Sequence, residues 1–82
     1  MPRILWSAEA VRILSTLPAP VQDDIISKTG LLAESPQMYP VRRRERYRGQ
    51  RFIISFEWGV YYLDRSDNVV ITIIGHAHRR SA

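Results

Sequence analysis

The side chains in this sequence best suited to chemistry are its arginines and its two histidines. From Arg42 to Arg51 the chain reads Arg-Arg-Arg-Glu-Arg-Tyr-Arg-Gly-Gln-Arg, six arginines in ten residues against one glutamate. Lys28 is the only lysine among the 12 Lys and Arg residues. The bias matters because a guanidinium is a planar fork that grips phosphate or carboxylate through two parallel hydrogen bonds, whereas an ammonium is a hydrated point charge. The block points to a polyanion, either a nucleic acid or an acidic protein. Arg42, Arg44, Arg46 and Arg48 alternate, so on a strand they share one face, next neighbours roughly 6.6 Å apart. That spacing is close to the phosphate repeat of an extended single strand. The plain alternative is a solvated strand face whose charge Glu45 or the acids of a neighbouring helix offset.

His76 and His78 sit two residues apart, with Arg79 and Arg80 directly after. If a strand continues through them, both imidazoles and Arg80 share a face. Histidine is the side chain that moves protons near neutral pH, so this grouping offers acid–base and anion-binding groups in one place. The alternatives are an exposed tail in which one histidine caps a backbone group, or a metal site. The latter lacks a third ligand at a useful spacing. Asp23 and Asp24 are not a carboxylate dyad, because adjacent helical positions diverge by about 100°. No Ser–His–Asp arrangement, phosphate-cradling glycine loop or cofactor motif is visible.

Size and charge narrow the field. The 82 residues suffice for one small domain with a modest core. There is no cysteine, which excludes disulfides and thiolate metal sites and fits a reducing cytoplasm. No long apolar stretch stands at the N-terminus, so no secretory signal is expected, and the longest apolar run, residues 69–74, is far too short to span a bilayer. Residues 1–41 carry Arg3, Arg12 and Lys28 against Glu9, Asp23, Asp24 and Glu34, a net −1. Residues 42–82 carry nine arginines against Glu45, Glu57, Asp64 and Asp67, a net +5. The polyanion surface is thus expected in the C-terminal half.

The elements that must position these groups follow from periodicity. Arg3 to Ser7 reads as a short strand, and Ser7 can cap a helix with Glu9 in its first turn. Ala10, Val11, Leu14 and Leu17 make an apolar helical stripe. Leu17-Pro18-Ala19-Pro20 breaks that helix and opens a second, whose apolar face is Val21, Ile25, Ile26 and Leu32. Pro36 to Pro40 is a loop. Beyond Val41 the period changes to two: a strand over 42–48, a turn at Gly49-Gln50, a half-buried strand from Arg51 to Trp58, a bend at Gly59, and a strand over Val60 to Leu63. A polar hairpin loop, Asp64 to Asn68, leads to residues 69–74, apolar on both faces and so central in the sheet. No third helix is expected after it. The reading is α+β, in the order β-α-α-β-β-β-β: an N-terminal strand and a helical hairpin packed on a twisted, mainly antiparallel sheet. Trp6 and Trp58 read as core. Tyr47, Tyr61 and Tyr62 can stack on bases or pack the sheet, and Tyr61 and Tyr62 must point to opposite faces.

That order, with Leu17-Pro18 at the helical turn, the segment Phe56-Glu-Trp-Gly-Val-Tyr-Tyr62, and the ending Ile73-Ile-Gly-His-Ala-His-Arg-Arg80, resembles the RelE/ParE superfamily of bacterial toxins from type II toxin–antitoxin systems. The resemblance covers nearly the whole chain. It implies one of two activities. RelE-like members cut mRNA in the ribosomal A site without a metal, and ParE-like members poison DNA gyrase. Both are silenced by an antitoxin whose C-terminal segment wraps the toxin, so a toxin–antitoxin hetero-oligomer is implied. Gly59 stands where RelE-like nucleases carry a third-strand arginine, and that departure gives the gyrase alternative, or a non-toxic antitoxin-binding member, its basis.

Metal-free RNA cleavage needs a base for the 2′-OH, a cation for the charge growing on the phosphate, and an acid for the leaving 5′-oxygen. The resemblance implies Arg51, Arg79 and Arg80 for the charge, and histidine's near-neutral pKa makes His76 or His78 the candidate for proton transfer. Arg42, Arg44, Arg46, Tyr47 and Arg48 would then hold the RNA, the ribosome or an acidic antitoxin.

Overall fold

Ser7 ends one element and starts the next. Its hydroxyl oxygen accepts a hydrogen bond from the Ala10 amide at 3.0 Å, which caps a helix, and donates one to the Thr72 carbonyl at 2.7 Å, which ties that helix start to a distant strand. The computed structural model of the protein describes residues 2–43 and 46–77. Strand β1 (Arg3–Trp6) precedes Ser7 and helix α1 (Ala8–Leu14) follows it. Helix α2 (Ala19–Gly30) begins after Pro18 with Pro20 in its first turn, where a missing N–H costs nothing. Gln22 reaches back to donate to the Leu14 carbonyl at 2.8 Å and so satisfies the end of α1. A single 3-10 turn (Leu31–Ala33) closes the helical hairpin.

Three strands follow: β2 (Arg51–Ser55), β3 (Trp58–Asp64) and β4 (Asn68–His76). The sheet order is β1-β4-β3-β2, with β1 parallel to β4 and the other pairs antiparallel. Strand β4 is central, as its two apolar faces require. Ile53, Val60, Tyr62, Val69, Ile71 and Ile74 face Ala10, Leu17, Val21, Ile25 and Leu32, and this is the core. Ser55 lies on the same face, buried, with its hydroxyl donating to the Asp24 carboxylate. Lys28 completes that corner, 3.1 Å from Asp24 and 3.1 Å from the Ile54 carbonyl. The helices thus cover one face of the sheet and leave the other without them.

The α+β architecture stands as expected, with two local differences. The strand expected over 42–48 does not form among the described residues: 46–49 make a turn, and only Val41 bridges to Arg51. Alternating arginines mimic a strand's period, but of the residues between them Arg43 and Glu45 are charged, and Tyr47 (φ 62°) and Gly49 (φ 93°) both take left-handed conformations that no strand accepts. The second difference is the bend expected at Gly59. Gly59 lies within β3, paired with Ile54, and the reversal falls at Phe56-Glu57. There Phe56 adopts φ 55° while 63% exposed.

A first position with φ > 0 in a two-residue hairpin turn is normally glycine's. Because Phe56 packs little, Phe56→Gly should stabilise the fold by about 1 kcal/mol, raising Tm by roughly 4–8 °C for a domain of this size. An unchanged or lower Tm in calorimetry would contradict this strain. The Ser55 hydrogen bond, helped by Lys28, holds the Asp24 carboxyl below its ordinary value of 3.8. A depressed carboxylate stabilises the fold above that value and its contribution is lost as pH falls through the lowered one. Acid unfolding curves should show wild-type stability dropping below pH ~4 and a shallower drop in Asp24→Asn; parallel curves would refute the assignment.

Candidate functional site

Alternation along β2 and β3 sends Phe52, Ile54, Gly59 and Tyr61 to the helix-free face. Pairing across to β4 adds Gly75, opposite Gly59, and Ile73, opposite Tyr61. The arginine-rich loop folds against this face. The Arg42 amide donates to the Gln50 carbonyl at 2.7 Å, the Gly49 amide to the Arg42 carbonyl at 2.9 Å, and the Gln50 amide to the Tyr47 carbonyl at 3.0 Å. The Gln50 side chain meets the Thr72 hydroxyl on β4. These bonds set the Tyr47 ring 4.6 Å from the Tyr61 ring, which in turn lies 6.0 Å from Phe52. The Arg42 guanidinium stands 5.9 Å over both Phe52 and Tyr61, within cation–π range. The result is a stacked aromatic platform topped by a cation, which suits the π face of a base and the charge of a phosphate.

Tyr61 also explains Gly59. A Cβ at Gly59 would lie 3.2 Å from Tyr61 Cε1 and 3.3 Å from its hydroxyl oxygen. The tyrosine ring therefore runs back along β3 and covers the backbone where the resemblance puts an arginine. The two side chains compete for one space, and in this chain the tyrosine fills it. Nothing in composition or periodicity signals this; only the spacing of Gly59 and Tyr61, two apart on one face, carries it.

Other sequence-derived site residues lie elsewhere. Arg51 shares the helix side of β2 with Ile53 and Ser55. Its Nε is 3.4 Å from Asp64 and its NH1 donates to the Tyr39 carbonyl at 2.8 Å. Beside it the buried Tyr62 donates to the Pro36 carbonyl at 2.8 Å, and burial pushes its phenol up to about 12, with Arg51 opposing. Arg51 and Tyr62 together clasp the 36–40 loop to the sheet. His76 is at the other end, its ring 5.0 Å from Trp58 and its Nε2 4.0 Å from Glu57. Arg51 pairs with Tyr62 and His76 with Trp58, four residues apart on β3, or about 13 Å. The structure does not bring Arg51 and His76 together. Arg46 and Arg48 are exposed on the turn beside Tyr47. Arg44, His78, Arg79 and Arg80 lie outside the described residues. Among the described residues no three His, Cys, Asp or Glu side chains group as a metal site needs. No described helix is long and apolar enough to cross a membrane. A concavity lined by Ile4, Trp6, Val11, Leu14, Ile26, Thr29 and Gly30 is mostly apolar and carries no ionisable side chain.

The competition between positions 59 and 61 is measurable. Gly59→Arg should cost about 1–3 kcal/mol, since Tyr47 and Phe52 hold the ring that must give way. In a Tyr61→Ala background the same substitution should cost less by at least about 0.5 kcal/mol. Additive effects in denaturant unfolding would show that the two sites do not compete.

Three solved structures share this backbone. A chain of the intact E. coli RelBE toxin–antitoxin complex superposes with a TM-score of 0.75 at 18% identity, over 96% of this chain and 100% of that one. The isolated E. coli RelE toxin gives 0.77 at 18% identity, over 99% of this chain and 89% of that one. A chain of the RelBE2 toxin–antitoxin complex from Mycobacterium tuberculosis gives 0.73 at 21% identity, over 94% and 93%. No family model and no curated protein sequence matches. The likeness is thus one of backbone rather than of residues, and across nearly its whole length this chain has the fold of the RelE toxins.

Proposed function

We propose that this protein is the toxin of a bacterial type II toxin–antitoxin system and acts as a ribosome-dependent, metal-independent mRNA endoribonuclease. The observation that carries the reading is the near full-length likeness to RelE, alone and in complex with its antitoxin. The helix-free face adds chemical support. Arg42 and Tyr47 frame an aromatic platform there, and Arg46 and Arg48 are exposed beside it. In this reading Arg42, Arg44, Arg46, Tyr47 and Arg48 hold the RNA and its surroundings on the ribosome. Arg79 and Arg80 stabilise charge on the phosphate, and His76 or His78 transfers protons. The Arg51 guanidinium is committed to Asp64 and the Tyr39 carbonyl, so its contribution is to fix the 36–40 loop rather than to meet the phosphate. The net charge of +4 suits an acidic antitoxin as the cytoplasmic partner.

One observation favours a second reading. A tyrosine fills the place of the third-strand arginine, which fits a gyrase-directed toxin or a non-toxic antitoxin-binding member. Adding the purified protein to a reconstituted translation reaction and mapping new mRNA 5′ ends separates the readings. Cuts within codons, seen only with ribosomes and lost in Arg79→Ala/Arg80→Ala, are expected. Intact mRNA together with inhibited supercoiling would replace the nuclease by the gyrase reading, and intact mRNA with no growth arrest on expression would leave an antitoxin-binding protein.

A further inference from the structure

The two neighbouring tyrosines of β3 are buried to similar degrees and served differently. Tyr62 is fully buried, and its hydroxyl donates to the Pro36 carbonyl at 2.8 Å. Tyr61 is 7% exposed; its main-chain carbonyl accepts from Thr72 and its ring packs on Tyr47 and Phe52, while its hydroxyl bonds to no described residue. Among the described residues no buried side-chain oxygen lacks a partner, so this hydroxyl reaches solvent, where a ligand can take the place of water.

Its surroundings say what kind of ligand. The hydroxyl oxygen lies 3.3 Å from the Cβ position of Gly59, directly on bare backbone. Gly75 pairs with Gly59 across the ladder, and nothing stands within 4 Å of its Cβ position. The Tyr61 ring covers Gly59, while Gly75 stays open beside the phenol, so another chain's backbone can approach closely there. The rings of Tyr47 and Phe52 and the Arg42 guanidinium flank the same phenol. Open Gly75 backbone, hydroxyl, cation and stacked rings together match a phosphate and its adjoining base better than an acidic peptide, which has carboxylates but no π face.

We propose that the Tyr61 hydroxyl is a phosphate-binding group. It donates a hydrogen bond to a non-bridging phosphate oxygen of a single RNA strand lying over Gly75 beside the phenol. Gly59 then suits this arrangement rather than marking a loss, since a Cβ there would crowd the phenol. This inference rests on reading the helix-free face as the RNA site.

The test is fluorescence anisotropy with a labelled eight-nucleotide single-stranded RNA carrying 2′-O-methyl riboses, which cannot be cut, across a salt series. Tyr61→Phe keeps the ring and should bind on the order of 10-fold more weakly, the loss of one hydrogen bond to a charged group. Its salt dependence should match the wild type, because no charge is removed. Arg42→Ala should lower the slope by about 1. Gly59→Ala, whose Cβ crowds the phenol while leaving Tyr61 in place, should also lose affinity, though less than Tyr61→Phe. Wild-type affinity in both Tyr61→Phe and Gly59→Ala, with Arg42→Ala weakened, overturns the Tyr61 assignment and leaves the RNA face standing. Wild-type protein that ignores the RNA but binds a polyglutamate peptide overturns both.

Discussion

Alternation along β3 is the constraint on which the rest of the structure depends. Tyr61 and Tyr62 are adjacent, so one must enter the core and the other must leave it. Tyr62 goes under the helices, where it is fully buried and anchors the 36–40 loop through Pro36. Tyr61 is therefore forced onto the helix-free face, where no helix covers it. An aromatic of that size left open to water is costly, and the arginine-rich loop is what covers it, through Tyr47 and Arg42. The register irregularity between β3 and β4 falls at these two residues, where Thr72 meets both the Tyr61 carbonyl and Gln50 from the covering loop. Two adjacent strand positions thus supply the core's largest fully buried side chain and the site's central ring.

The sequence pattern made the framework legible and the site much less so. Ser7 capping α1, Pro20 in the first turn of α2, and β4 as the central strand are local or periodic signals, and each corresponds to an element of the fold. The arginine strand failed because period two is necessary for a half-buried strand but not sufficient: Tyr47 is the one aromatic alternate of the arginines, the others being Arg43, Glu45 and Gly49. Left-handed Tyr47 gave no advance warning, since only Gly49 in that stretch is a residue type that announces positive φ. Arg51 illustrates a different limit. Its type fitted a phosphate, but whether a guanidinium meets a ligand or a carboxylate of its own chain depends on Asp64, thirteen residues away across a hairpin. Sequence distance hides that contact.

The same economy of contacts governs the sheet's outer edge. Strand β2 is an edge strand, and an open edge invites pairing with other chains. Here the Phe52 amide donates to the Pro40 carbonyl and the Ile54 carbonyl accepts from Lys28. The chain's single lysine is thus spent on α2, blocking an edge and pairing Asp24, while its arginines gather in the C-terminal half. The segregation is physical as well as compositional. An ammonium on a flexible stem can bridge a carboxylate and a carbonyl at once, whereas the planar fork of Arg42 suits lying over rings.

Among the described residues two non-glycine residues, Tyr47 and Phe56, take positive φ, with different compensation. Each conformation costs on the order of 1–3 kcal/mol, a large part of the stability of a domain this small. At Phe56 the side chain is mostly in water, so packing returns little. At Tyr47 the left-handed turn is what swings the ring back onto Tyr61 at 4.6 Å, and an aromatic pair returns about 0.5–1.5 kcal/mol beyond the area it buries. Stacking offsets part of the strain at Tyr47, which makes the loop's position depend on Tyr61, just as the position of Tyr61 depends on Gly59. Loop, ring and glycine therefore form one unit: removing the ring frees the loop to relax, and adding a side chain at position 59 crowds the ring.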